Sequence, residues 1–206
     1  MTASRLHILL ATSLSCLIFL ACAPEPKLPS LADDATILAF GDSLTYGTGA
    51  LPRESFPAVL EKLTGRRVIN AGVPGEVSRD GFARLQKILI REKPDLLILC
   101  HGGNDFLRRI DQNQTRKNLE AMIGLAKEHQ IAVLLIAVPM PGIYLKPPPL
   151  YEEMANEHGL PLEHKILEII LGNAALKSDH VHPNAAGYKM LAEALLSLLK
   201  RSGALH

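Results

Sequence analysis

The sequence predicts an α/β fold in which a parallel β-sheet is buried on both faces. Short runs of consecutive apolar residues alternate with stretches of helical periodicity, a pattern typical of strands covered by helices on both sides. The chain has 206 residues, of which 48% are hydrophobic and 21% are charged. This length and balance suit one globular domain with a sizeable core.

The order of the elements can be read from the apolar patterns along the chain. Four clear strand candidates and one weaker candidate define the sheet. The predicted strands are residues 36–40, 67–70, 95–100, 131–138 and, more weakly, 159–162. The predicted helices are residues 57–63, 78–92, 113–129 and 184–201.

The N-terminal residues are predicted to be a targeting segment that directs export of the protein. Arg5 precedes an apolar run over 6–21, which is shorter than the roughly 20 residues of a membrane span and fits the apolar region of a signal peptide. The run ends in Phe-Leu-Ala-Cys, which resembles a bacterial lipobox, so residues 1–22 are predicted to be a signal peptide with lipidation at Cys22. A diacylated Cys22 would anchor the periplasmic protein to a bacterial membrane. Cleavage after Ala23 and an uncleaved anchor helix are the alternatives.

A linker and one domain follow the signal. Residues 23–34 contain three prolines and no periodicity, which predicts a flexible tether, and residues 35–206 form the domain. Cys100 would be the lone cysteine of that domain and is predicted to be a small buried hydrophobic residue.

The charge and aromatic content argue against nucleic acid as a partner. The formal net charge is +1, tryptophan is absent and aromatic residues make up 4% of the chain. A nucleic-acid-binding domain would carry a basic surface or stacking aromatic side chains.

Polar residues follow the predicted strands or precede the last helix at four places. These segments are 41–44, 70–75, 102–105 and 179–183. Because the carboxyl ends of parallel strands meet at the same edge of a sheet, these residues are expected to gather there.

Each of these residues has a structural and a chemical interpretation. Ser43 is a helix cap or a nucleophile, Gly75 is a turn residue or an oxyanion donor, and Asn104 is a loop-bracing amide or an oxyanion donor. Asp179 and His182 cap the last helix, or they form a carboxylate–imidazole pair that activates a serine.

Together the four segments resemble the sequence blocks of the SGNH (GDSL) hydrolase family. Gly-Asp-Ser lies at 41–43, the second-block glycine is Gly75, Gly-x-Asn-Asp lies at 102–105 and Asp-x-x-His-Pro lies at 179–183. The segment 81–85 adds a similarity to the periplasmic acyl-thioesterase, lysophospholipase and arylesterase branch. The resemblance implies a three-layer α/β/α sandwich on a flavodoxin-like, five-stranded parallel sheet.

The same resemblance implies a role for each site residue. Ser43 would be the nucleophile, His182 its base, and Asp179 the carboxylate that orients the base. Ser43, Gly75 and Asn104 would form the oxyanion hole. No cofactor and no metal is expected, although Asp179, His180 and His182 raise the question of zinc.

The loop over 139–149 is the predicted wall of the substrate site. Met140, Ile143 and Tyr144 are expected to line it, with residues 106–110 as a second wall; a rigid surface excursion is the alternative. The expected function is hydrolysis of small-molecule or lipid carboxylic esters or thioesters. A carbohydrate O-acetyl esterase and a non-catalytic binding lipoprotein are the alternatives, and His101 has no assigned role.

Overall fold

Five parallel strands form one sheet at the centre of the molecule. The computed structural model describes residues 26–142 and 145–206. The strands are β1 (Thr36–Gly41), β2 (Arg67–Gly72), β3 (Leu96–Cys100), β4 (Ala132–Ile136) and β5 (Leu162–Glu163). Their order is β2-β1-β3-β4-β5, which is the flavodoxin-like order, so the predicted fold class is confirmed.

Helices cover both faces of this sheet. The helices are α1 (Ser43–Tyr46), α2 (Phe56–Thr64), α3 (Ser78–Glu92), α4 (Gly103–Leu107), α5 (Gln112–Glu128), α6 (Leu150–His158), α7 (Ile166–Gly172) and α8 (Ala185–Arg201). Helix α2 packs against α8 in one layer, and α3 packs against α5 in the other. All residues of the central strand β3 are buried, as expected for a strand between two helical layers.

The predicted elements agree with the structure to within one or two residues, except around β5. The sequence placed this strand near 159–162, but Gly159 ends α6 in the left-handed conformation, with φ of 65°. The chain therefore turns at Gly159, and pairing with β4 begins only at Leu162. Helices α6 and α7 were not predicted; α6 starts directly after Pro149, since proline is compatible with a helix start.

Within the described part of the predicted tether, residues 28–31 are fixed to the domain. Leu28 N–H donates to the carbonyl of Ser202, and Leu31 N–H donates to that of Ala204. The Leu31 side chain is buried in the core. The prediction of a flexible tether is therefore wrong for residues 28–31, because their apolar side chains and backbone groups find partners in the C-terminal segment.

The predicted signal peptide and Cys22 lie outside the described residues. Over 26–142 and 145–206, no helix has both the length and the hydrophobicity that a membrane crossing requires.

Candidate active site

Ser43 lies at the carboxyl end of β1, as the first residue of α1. Gly41 permits the sharp turn before it, since a Cβ there would lie 2.0 Å from the carbonyl oxygen of Cys100 on the neighbouring strand. Asp42 is the helix cap, because its Oδ1 accepts the N–H of Leu44 at 3.0 Å. The Ser43 hydroxyl is therefore not needed as a cap and is available to a base.

His182 reaches Ser43 from the loop before α8. Its Nε2 lies 2.9 Å from Ser43 Oγ, and its Nδ1 lies 2.7 Å from Asp179 Oδ2. A carboxylate only accepts hydrogen bonds, so Nδ1 carries the proton and Nε2 presents its lone pair to the serine hydroxyl. This arrangement allows the imidazole to take the hydroxyl proton.

Asp179 is held in its orientation by its own loop. Its Oδ1 accepts the backbone N–H groups of Val181 at 2.8 Å and His182 at 2.9 Å. Partial burial acts to raise the pKa of Asp179, but the hydrogen bonds from His182 and from the two backbone groups outweigh it and lower that pKa. Asp179 therefore stays ionised where the imidazolium has to be stabilised.

The three expected oxyanion donors line one pocket beside Ser43. Within the described residues, the backbone N–H groups of Ser43 and Gly75 have no hydrogen-bond acceptor. Gly75 adopts a φ of +78°, the left-handed region that favours glycine. Arg108 Nη2 donates to the Gly75 carbonyl at 2.8 Å and so fixes the orientation of this loop.

The Asn104 side chain bridges two neighbours. Its Nδ2 donates to Asp42 Oδ2 at 3.1 Å and to the backbone oxygen of Glu76 at 3.0 Å. Asp42 is 1% exposed, and this burial raises its pKa, although the hydrogen bonds from the Leu44 N–H and from Asn104 act in the opposite direction. An oxyanion beside Asn104 would compete with these two acceptors for the amide protons.

Asp105 of the third polar segment braces helices and does not face Ser43. It is fully buried, and its carboxylate accepts the Ser78 N–H at 2.8 Å and the Ser78 hydroxyl at 2.5 Å. Thr115 adds a third hydrogen bond from α5 at 3.3 Å. Asp105 therefore ties the start of α3 and the first turn of α5 to α4.

The pocket next to Ser43 has a volume of about 240 Å³ and a mostly apolar lining. The apolar lining residues are Leu44, Pro74, Leu107, Val138, Pro139, Pro141, Leu145, Leu171 and Val181, and His180 lies at its edge.

The predicted substrate loop supplies only part of this wall. Pro139, Pro141 and Leu145 line the pocket, but Met140 does not. Met140 packs against the core, and its sulfur accepts a hydrogen bond from Gln112 at 3.5 Å. The prediction is wrong for Met140, because its side chain packs against the core and not into the pocket. Ile143 and Tyr144 lie outside the described residues.

Sequence reasoning missed a buried cluster behind the site, formed by Glu76, Arg84 and His101. The ion pair between Glu76 and Arg84 has a nitrogen–oxygen distance of 2.6 Å, and His101 Nε2 lies 3.1 Å from Glu76. Only the positions of two of its members in the sequence could have indicated this cluster, because Glu76 follows Gly75 and His101 directly follows β3. Over 26–142 and 145–206, no group of three or more His, Cys, Asp or Glu side chains could hold a metal ion.

Comparison with known proteins gives the family and several relatives. Residues 39–190 match the GDSL-like lipase/acylhydrolase family. The chain is 30% identical to the esterase TesA of Pseudomonas aeruginosa, over 89% of this chain and 97% of TesA. It is 29% identical to thioesterase 1/protease 1/lysophospholipase L1 of Escherichia coli K12, over 77% of this chain and 80% of that protein.

A solved structure agrees with the architecture described above. The crystal structure of TesA superposes with a TM-score of 0.73 at 29% identity, covering 81% of this chain and 99% of the other. Fold, sequence blocks and site geometry therefore point to the same family.

Proposed function

Because the chain belongs to the GDSL-like lipase/acylhydrolase family, the SGNH hydrolases, and is a carboxylic ester hydrolase, we propose that Ser43 is its nucleophile. The observation that carries this proposal is the chain of contacts from Ser43 Oγ to His182 Nε2 and from His182 Nδ1 to Asp179 Oδ2, at 2.9 and 2.7 Å. A serine becomes nucleophilic when a positioned base accepts its proton.

The reaction proceeds through an acyl-enzyme on Ser43. Oγ attacks the substrate carbonyl while His182 Nε2 takes the hydroxyl proton, and Asp179 stabilises the imidazolium. The N–H groups of Ser43 and Gly75 and the Asn104 amide bind the oxyanion.

Collapse of this intermediate breaks the bond to the alcohol or thiol, which leaves with the proton from His182. Water then attacks the acyl-enzyme, His182 accepts a proton from it and returns it to Ser43 Oγ, and the carboxylic acid departs.

The pocket supports an uncharged, apolar acyl or alcohol group as the substrate portion next to Ser43. A cavity of about 150 Å³ accommodates benzene, so one of about 240 Å³ holds a phenyl ring or a short acyl chain. Among its described lining residues, the polar side chains outside the catalytic and oxyanion groups are Asp42, Thr48 and His180. A carbohydrate O-acetyl esterase is the second candidate, and it would need hydroxyl partners on this rim.

A chain-length series tests this proposal. The purified domain is expected to hydrolyse p-nitrophenyl acetate and butyrate, and Ser43→Ala is expected to lose about six orders of magnitude in kcat. Lysophospholipid and acetylated xylo-oligosaccharide run in parallel separate the two substrate classes. Retention of hydrolysis in Ser43→Ala would contradict the proposal, and Ser202→Ala, distant at the end of α8, is the control for serine replacement as such.

The N-terminal sequence supports a lipid-anchored, exported form of this enzyme. We propose that Cys22 is acylated after signal cleavage and that the enzyme lies in the periplasm. A labelled fatty acid is expected to be incorporated into the full chain and not into Cys22→Ala. Absence of label on the wild-type chain would contradict the anchor.

A further inference from the structure

The cluster of Glu76, Arg84 and His101 is a polar feature behind the site that the reaction does not use. Glu76 Oε1 accepts the Nε–H of Arg84 at 2.6 Å, and Oε2 accepts Nη2–H of Arg84 at 2.8 Å. His101 Nε2 lies 3.1 Å from Oε2 as well. The His101 side chain is fully buried, that of Glu76 is 7% exposed and that of Arg84 is 24% exposed. The bidentate pair of Glu76 and Arg84 is therefore largely shielded from water.

The backbone of Gly102 fixes the protonation state of His101. The Gly102 N–H donates to His101 Nδ1 at 3.1 Å, which requires a lone pair on Nδ1. His101 is then a neutral imidazole that carries its proton on Nε2 and donates it to Glu76. Glu76 therefore receives three hydrogen bonds, and these together with the Arg84 charge lower its pKa against the effect of burial.

Glu76 connects this cluster to two expected oxyanion donors. It directly follows Gly75, and its backbone oxygen accepts the Asn104 amide at 3.0 Å. His101 directly follows β3 and precedes Asn104 by three residues, so the same short segment carries both side chains.

Arg84 extends the same cluster to β1, the strand that precedes Ser43. Its Nη2 donates to the carbonyl of Gly41 at 3.1 Å and to that of Ala71 at 2.8 Å. Its guanidinium also lies 4.0 Å from the centre of the Phe40 ring. One side chain on α3 thus contacts the ends of β1 and β2 and the loop of Gly75.

We propose that Arg84, Glu76 and His101 are positioning residues that hold the Gly75 N–H and the Asn104 amide where the oxyanion forms. This proposal rests on the function proposed for Ser43. Oxyanion donors act at about 2.7–3.1 Å, and a displacement of about 1 Å can cost roughly 100-fold in rate. Disturbing the cluster should therefore lower kcat and leave KM nearly unchanged, because the apolar pocket remains.

Gly81 provides a test that removes no polar group. A Cβ at this α3 position would lie 2.5 Å from His101 Nε2 and 3.2 Å from Glu76 Oε2. Gly81→Ala should lower kcat by about 10- to 100-fold and change KM by less than about threefold. Gly124→Ala on α5 is the matched control, because a Cβ there meets nothing within 4 Å, and it should keep wild-type kinetics.

Two substitutions of His101 test whether the hydrogen bond from its Nε2–H to Glu76 is required for full kcat. His101→Leu should lower kcat by a similar factor, whereas His101→Gln keeps an amide donor toward Glu76 and should recover part of the loss. Equal losses in the two variants, or wild-type kcat in both, would overturn the role of His101. If His101→Leu does not fold, Gly81→Ala decides the proposal.

A double-mutant cycle with Asn104→Ala separates positioning from general destabilisation. If the cluster acts through the oxyanion donors, Gly81→Ala should cost less in the Asn104→Ala background than in the wild type. An equal factor in both backgrounds would overturn the proposal. Ser43→Ala distinguishes failure of the proposed function from failure of this inference. Residual hydrolysis in Ser43→Ala would overturn the proposed function. An inactive Ser43→Ala together with wild-type kcat in Gly81→Ala would overturn only the positioning role of the cluster.

Discussion

The candidate site has two halves that are built in different ways: the base half contains Asp179 and His182, and the oxyanion half contains Gly75 and Asn104. The base half is a short turn in which Asp179 contacts His182, three residues away, and the backbone of Val181. The Asp179 side chain is 50% exposed. In the oxyanion half, Asn104 contacts Asp42 and Glu76, which are 62 and 28 residues away in sequence.

Because of this difference, the side chains of the two halves are expected to contribute differently to activity and to stability. A solvated turn can lose a side chain with little effect on folding, since water replaces the lost hydrogen bonds. A partly buried amide that bridges Asp42, after β1, and the backbone of Glu76, in the loop after β2, contributes to both activity and stability. Substitutions in the base half should therefore lower kcat alone, and those in the oxyanion half should lower kcat and the free energy of unfolding.

The largest effect is expected for His182→Ala. Loss of the base leaves Ser43 without a proton acceptor, and kcat should fall by about six orders of magnitude. Thermal unfolding should stay close to wild type. His180→Ala is the neighbouring control in the same loop and should keep most of its activity; equal losses in both variants would contradict the assignment of the base.

A smaller effect is expected for Asp179→Asn. Losing a buried carboxylate of this type costs about 10⁴-fold, and we expect about 10³-fold here because water reaches Asp179. Steady-state kinetics with p-nitrophenyl butyrate measure the difference. A loss as large as that of His182→Ala would show that exposure does not weaken this pair.

Asn104→Ala should lower kcat by about 100- to 1000-fold, as expected for the loss of one oxyanion donor. It also removes a partner of buried Asp42 and should lower the free energy of unfolding by about 1–3 kcal/mol. Urea unfolding beside kinetics tests both parts. Unchanged stability would contradict the contrast between the two halves.

The smallest effect is a pH dependence of stability at Glu76. Its pKa is lowered below the ordinary value of 4.5, so the unfolded chain binds the proton first as the pH falls. The stabilisation is present above that value and is lost as pH falls through the folded-state pKa. The stability difference between wild type and Glu76→Gln should shrink as the pH falls below 4.5 in urea unfolding. A constant or growing difference would contradict the lowered pKa.

The sequence predicted what depends on local patterns and strand ends. The parallel sheet followed from continuous apolar runs. Ser43, Asp179 and His182 were singled out as polar residues around those runs, and the resemblance to the family gave them their expected roles. The Glu76–Arg84–His101 cluster could not be predicted in this way, because its members come from a loop, a helix and a strand end that meet only in the folded chain. Met140 was misplaced for a related reason: loop composition does not determine which side chains face the pocket.

The central claim is that Ser43 forms a covalent acyl-enzyme, and intact mass spectrometry with a fluorophosphonate probe tests it most directly. One probe adduct should form on the wild-type domain, peptide mapping should place it on Ser43, and hydrolytic activity should decline in step with labelling. Ser43→Ala should remain unlabelled. An adduct on another residue, or full activity in a fully labelled protein, would contradict the account.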